Sequence, residues 1–146
     1  MKDFAINIPG FVELIIERLN ESGYEAFVVG GCVRDSILQK TPKDWDITTS
    51  AKPQQVKLLF PKTYDTGIQH GTITVMMNNE VCEVTTFRVD GIYQQHRKPS
   101  KVFFTDNVIK DLQRRDFTMN AMAYHPDTGL VDPFNGINDI ENKIIR

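Results

Sequence analysis

The sequence predicts an α+β fold, one small mixed sheet with helices against one side. Two observations carry this prediction. Helix-period segments alternate with short β-prone runs through the first half of the chain, and two hairpin patterns follow with no helix inside either. The chain has 146 residues, 40% apolar and 25% charged, which is the usage of a globular domain and not of a disordered one. A domain of this size buries roughly 70% of its unfolded surface, enough for one real core. The expectation is therefore a single domain over residues 1–146.

Taken in order, Pro9 stands in the first turn of a helix, where its missing N–H costs little. Phe11, Leu14, Ile15 and Leu19 then recur at helical spacing, with Gly23 just past the end. Ala26 to Val29 is an apolar run ending on Gly30-Gly31 and reads as a buried strand. Val33, Ile37 and Leu38 form a second helix that stops before Pro42. Asp44 to Thr48 reads as a strand, and Pro53 to Phe60 as a helix opened by its proline. Gly71 to Met77 and Val81 to Arg88 are β-prone runs around Asn78-Asn79-Glu80, a hairpin that lacks the favoured Asn-Gly pair. Asp90 to Ser100 is polar, carries the basic cluster His96, Arg97 and Lys98, and reads as a mobile loop. Lys101 to Phe104 reads as a strand and Val108 to Arg114 as a helix. Ala121 to Tyr124 and Leu130 to Val131 flank Pro126-Asp127-Thr128-Gly129 as a second hairpin. Ile137 to Ile144 is amphipathic with no cap after it, which predicts a fragment cut from a longer protein.

Composition excludes some functions. Seventeen basic against nineteen acidic residues give a net charge of −2, so global charge does not advertise nucleic acid, and only a local basic patch could. No apolar run approaches the ~20 residues that span a bilayer, so no membrane is expected. Met1 to Ile8 lacks the apolar stretch and cleavage site of a secretory signal. Cys32 and Cys82 are too few for a disulfide scaffold and lack metal spacing, which fits a reducing cytoplasm. An enzyme and a binding module both pass these tests.

The most informative segment is Lys43-Asp44-Trp45-Asp46-Ile47. Side chains alternate along a strand, so Asp44 and Asp46 share one face while Trp45 and Ile47 take the other. Their Cα atoms would stand ~6.6 Å apart. Two carboxylates that close repel unless a cation or proton lies between them. Mg²⁺ takes oxygen ligands and keeps room for water and phosphate, and a two-metal site holds its ions ~3.5–4 Å apart. Glu83 sits inside a β-prone run between Cys82 and Val84; it reads either as a third carboxylate of that site or as a solvent-facing residue on an alternating strand. Gly30-Gly31 lies between a strand and a helix, where backbone can approach a phosphate closely, and Arg34 follows one turn later. Asp35 is expected to pair with a nearby base or to cap structure. Neither a Walker A loop nor G-x-G-x-x-G occurs, so P-loop and dinucleotide-binding readings lose support.

Six motifs in order complete the reading. They are Gly30-Gly31-x-x-Arg34-Asp35, Asp44-Trp45-Asp46, Gly67-x-x-His70-Gly71-Thr72, Glu83-Val84-Thr85-Thr86-Phe87-Arg88, Arg114-Arg115-Asp116-Phe117-Thr118-x-Asn120-Ala121 and Asp132-Pro133-Phe134-x-Gly136. In this order the chain closely resembles the class II tRNA nucleotidyltransferases (CCA-adding enzymes) and the bacterial poly(A) polymerases, of the DNA polymerase β-like nucleotidyltransferase superfamily. The resemblance implies a polymerase-β-like palm as the catalytic head. It implies template-independent addition of CCA, from CTP and then ATP, to tRNA 3′ ends. Poly(A) polymerase, a partial CC- or A-adding enzyme, and a nucleotide- or RNA-binding fragment without turnover are the alternatives.

Carried over to this chain, the resemblance makes Asp44 and Asp46 the ligands of Mg²⁺ and Glu83 an accessory carboxylate. Gly30, Gly31 and Arg34 would hold the triphosphate. Arg114, Arg115 and Asp116 would face the nucleotide, with Arg115 on the triphosphate and Asp116 and Asn120 near the sugar. In isolation Arg114-Arg115 reads as a solvated helix end. His70 and Asp132 read as structural, and His96, Arg97 and Lys98 either touch RNA phosphates or lie in a solvated loop. The family's base-reading Glu-Asp-x-x-Arg helix, and the body and tail that grip tRNA, would follow these residues.

Overall fold

The computed structural model describes residues 5–90 and 102–146. Along the chain run α1 (Gly10–Glu21), β1 (Ala26–Val29), α2 (Gly31–Ile37), β2 (Asp46–Thr49), α3 (Pro53–Leu59), β3 (Thr63–Gly67), β4 (Thr72–Met77), β5 (Glu80–Thr86), β6 (Arg88–Asp90), β7 (Val102–Phe104), α4 (Val108–Gln113), β8 (Ala123–His125), β9 (Gly129–Val131) and α5 (Gly136–Glu141). Short 3₁₀ turns occupy Ile68–His70 and Thr118–Asn120. Seven strands form one sheet in the order β3-β4-β5-β2-β1-β8-β9, and β6 and β7 form a separate ribbon. Within the large sheet β2 and β5 pair in parallel, and the other neighbours are antiparallel. The predicted α+β class and mixed sheet are therefore what the chain adopts.

Alternation along the strands gives the sheet two unlike faces. Val28, Ile47, Val84 and Ile73 share register and face a core built with Phe11, Val12, Ile15, Ile16 and Leu19 of α1 and with Cys32 and Val33 of α2. The helices do not all lie on that side. Leu112 of α4 packs with Phe27, Val29 and Ala123 in a smaller cluster on the other face, which Phe87 also joins. That second face is covered over β1 and β8 and bears polar residues over β2, β4 and β5, which is where the site lies.

Several local differences from the sequence reading have physical causes. The predicted strand from Asp44 begins at Asp46, because the β5 ladder starts at Asp46↔Glu83 and β1 reaches only to Val28↔Ile47. Asp44 and Trp45 thus precede the strand. β3 went unpredicted; it is a polar edge strand with exposed Tyr64, Asp65 and Thr66, so no buried alternation marks it. The run predicted as Val81 to Arg88 breaks at Phe87, whose N–H donates to the Thr49 carbonyl at 2.7 Å before the chain turns into the ribbon. Asn78 and Asn79 both take positive φ, 54° and 64°, so the pair makes the turn without glycine.

The last helix stops at Glu141, short of the predicted Ile144, and it is capped. Lys143 is left-handed at φ 55°, its N–H bonds to the Ile140 carbonyl, and the Ile144 N–H bonds to the Asp139 carbonyl. These are the two bonds of a Schellman cap, here without glycine. The predicted loop Asp90–Ser100 lies outside the described residues beyond Asp90, as do His96, Arg97, Lys98 and Lys101.

Candidate functional site

Parallel register between β2 and β5 sets Asp46 directly beside Glu83 on the open face. Thr48 follows on the same face, and Thr74 and Thr85 stand next to them on β4 and β5. Asp46 is half-buried, and Asp44 and Glu83 are exposed. Burial pushes the Asp46 carboxyl above its ordinary value, the charges of Glu83 and Asp44 push the same way, and Arg115 opposes them. Three of the residues named from sequence, Glu83, Asp44 and Arg115, therefore act on the carboxyl group of a fourth, Asp46.

Behind this face Cys82 donates its thiol to the Trp45 carbonyl at 3.2 Å, and Cys32 donates to the Val29 carbonyl at 3.2 Å. Burial pushes the Cys32 thiol up to about 11 and Cys82 further still. Both are neutral at ordinary pH, free, and serve as small core residues under the site.

Gly30 has φ 81° and ψ −137°, a conformation that only glycine adopts without strain. A Cβ added there would lie 3.8 Å from Arg115 Nη1, and one on Gly31 would lie 3.4 Å from Arg34 Nη2. Two guanidinium groups thus stand over the glycine turn. Arg34 donates Nη1 to Asn120 Oδ1 at 2.9 Å and pairs through Nη2 with Asp35 at 3.0 Å, as expected of Asp35. The 3₁₀ turn that carries Asn120 is held in turn by α5, through Thr118. Asp139 accepts from the Thr118 hydroxyl, and a Cβ on Gly136 would run into the Thr118 carbonyl. Asp132 has the structural role expected of it, accepting the Gly136 and Ile137 N–H groups at the start of α5.

Arg114 and Arg115 are not a solvated helix end. Their side chains are only 15% and 20% exposed, and both pair with Asp111, which is fully buried. Asp111 also accepts from the Thr48 hydroxyl at 3.1 Å and from the Arg88 backbone N–H at 3.0 Å. Sequence reasoning missed this residue. Its spacing of three and four from the arginines was the available signal. Asp116 is exposed, and among the described residues no hydrogen bond ties it to the group around Asp46.

The donor set suits a hard cation, being carboxylate oxygens with hydroxyls beside them. Among the described residues no three Asp, Glu, His or Cys side chains converge closely enough to cage a metal unaided. That is consistent with an ion that takes one or two carboxylates and completes its shell with phosphate and water, as Mg²⁺ usually does. Acidic groups lie on one side and Arg34 and Arg115 on the other, an arrangement whose charges could meet a polyanion and its cation.

A mixed sheet bearing carboxylates on its open face, next to a glycine turn crossed by arginines, is the architecture of a nucleotidyltransferase head. The chain belongs to the Poly A polymerase head domain family, which it matches over residues 26–146. It is 53% identical to the CCA-adding enzyme of Listeria monocytogenes serovar 1/2a over 132 residues, covering 90% of this chain and 34% of that enzyme. It is 48% identical to the CCA-adding enzyme of Lactobacillus delbrueckii subsp. bulgaricus over the same length, covering 33% of that protein. Among solved structures, the Bacillus stearothermophilus CCA-adding enzyme in complex with CTP superposes with a TM-score of 0.84 at 44% identity, over 93% of this chain and 32% of that one. A tRNA nucleotidyltransferase complexed with a primer tRNA and an incoming ATP analogue superposes at 0.67 with 28% identity, over 90% of this chain and 38% of that one. The chain spans about a third of the length of the curated relatives it matches. Among the described residues no helix is long and apolar enough to cross a membrane.

Proposed function

We propose that this chain is the catalytic head of a CCA-adding tRNA nucleotidyltransferase, joining CMP units from CTP and then AMP from ATP to the tRNA 3′ end in the cytoplasm. The observation that carries the reading is the parallel register of Asp46 with Glu83, with Asp44 and Arg115 acting on the same carboxyl. The curated relatives at about half identity carry the name CCA-adding enzyme, which supports tRNA over generic RNA as acceptor.

In the reaction the RNA 3′ oxygen bonds to the α-phosphorus, the bond from that phosphorus to the β-bridging oxygen breaks, pyrophosphate leaves and the hydroxyl proton is released. Asp44 and Asp46 would hold Mg²⁺, with Glu83 as an accessory carboxylate. When bound, the divalent ions supply an activated 3′ oxygen and charge neutralisation of the leaving pyrophosphate. Arg34 and Arg115 grip the triphosphate above Gly30 and Gly31, which have no side chains to obstruct it. Arg114 lines the same wall, and Asp116 and Asn120 attend the sugar. Phosphoryl transfer asks the protein mainly to position and to compensate charge, and this residue set does both.

The test uses full-length protein with tRNA lacking its CCA end, Mg²⁺ and radiolabelled CTP and ATP. Addition of C, C and A in order is expected. Long A tails would assign a poly(A) polymerase instead, and CTP binding without any extension would assign a binding module.

A further inference from the structure

We infer that Asp111 is a positioning residue that fixes the Arg115 guanidinium relative to β2, so that the triphosphate is gripped at a set distance from the carboxylates. The inference rests on the nucleotidyltransferase reading and adds to it a buried residue that lies outside the six sequence motifs and bonds directly to Arg115.

Asp111 is entirely buried, although Ile109 and Lys110 before it on α4 are exposed. A carboxylate in that position is costly unless it is both paired and hydrogen-bonded. Here both oxygens are engaged. Oδ2 accepts from Thr48 Oγ1 at 3.1 Å and from Arg115 Nη2 at 3.2 Å. Oδ1 accepts from the Arg88 N–H at 3.0 Å and from Arg114 Nη2 at 3.4 Å.

Thr48 lies two residues beyond Asp46 on the same face of the same strand. A single oxygen therefore ties the strand of the carboxylates to the arginine that opposes them. Because Nη2 is committed to Asp111, the other terminal nitrogen, Nη1, is the one held above Gly30, 3.8 Å from where a Cβ would stand.

The inference is tested by a double-mutant cycle in the full-length protein, with CTP binding read by calorimetry in Mg²⁺ and CTP incorporation into tRNA scored beside it. Asp111→Asn is expected to weaken CTP binding at least tenfold and CMP binding less than threefold, because CMP lacks the β- and γ-phosphates. In an Arg115→Ala background, Asp111→Asn should change CTP binding less than twofold. If CTP and CMP weaken alike, or if the two substitutions multiply, Asp111 is only a structural counter-charge and the inference fails. Should Asp111→Asn not fold, Thr48→Val replaces it in the cycle, since it keeps the charge and cuts the tether. A threefold or greater loss of CTP affinity that vanishes with Arg115→Ala is then expected, and unchanged affinity overturns the inference. A wild type that shows the coupled cycle but extends no tRNA supports the role of Asp111 and overturns the nucleotidyltransferase reading. A wild type that does not bind CTP overturns both.

Discussion

On the side of the large sheet that faces α1 and α2, β1, β2, β5 and β4 present Val28, Ile47, Val84 and Ile73, each with no exposed surface. On the other side β2, β5 and β4 present Asp46, Thr48, Glu83, Thr85 and Thr74. Each fully buried aliphatic side chain of the first set contributes about 1.5–3 kcal/mol. The second set includes like charges that repel one another, one of them half-buried. Stability and chemistry are thus separated by a single peptide unit, and the apolar face carries the strain of the polar one. Neighbouring residues should respond in opposite ways to substitution.

The largest expected effect is on catalysis. Asp46→Asn in the full-length protein should lower CTP incorporation on the order of 10³-fold. The same change removes a charge that burial and Glu83 both disfavour, so the metal-free melting temperature should rise. Loss of activity together with a lower melting temperature would make Asp46 a structural residue and erase the contrast.

Its neighbour supplies the reverse case. Ile47 has no exposed surface, and Ile47→Ala should destabilise the fold by about 2–5 kcal/mol in urea denaturation. Activity per folded molecule should stay within a few-fold of wild type, because the side chain points away from the site. A loss comparable to that of Asp46→Asn would mean that the two faces are not separable.

What could be read from sequence follows the range of the forces involved. Alternation is local, so the opposite orientation of Asp46 and Ile47 was legible, and so was Glu83 between buried Cys82 and Val84. The start of β2 depends on the register of partners dozens of residues away, so Asp44 was wrongly placed inside the strand. The cap after Glu141 uses Lys143 in a conformation usually left to glycine, and no residue type announced it. Nothing next to Asp111 in the sequence announces its burial, since Thr48 and Arg88, which bond to it, come from elsewhere in the chain.

Gly136 tests how far the support of the site extends beyond the sheet. A Cβ there meets the Thr118 carbonyl and comes within 2.9 Å of its carbon, so the backbone must shift. Gly136→Ala should cost about 1–3 kcal/mol in the denaturation midpoint. It should also weaken CTP binding modestly, through the turn that holds Asn120 against Arg34. A purely local role for α5 would leave binding unchanged.

The smallest expected effect is on the pH dependence of stability. The Asp46 carboxyl titrates above 3.8 in the folded chain, so the folded state binds more protons than the unfolded state between 3.8 and its raised value. Its contribution to stability is greatest below 3.8 and falls as pH rises through the folded value, the opposite of a salt-bridged aspartate. Melting curves of the metal-free chain should therefore decline over that interval more steeply for wild type than for Asp46→Asn. Added Mg²⁺ should reverse the difference, because the ion binds the deprotonated carboxylates and stabilises more as they ionise. If the two proteins show the same pH dependence with and without Mg²⁺, the open face does not gather charge at Asp46, and the contrast between the faces reduces to one of hydrophobicity alone.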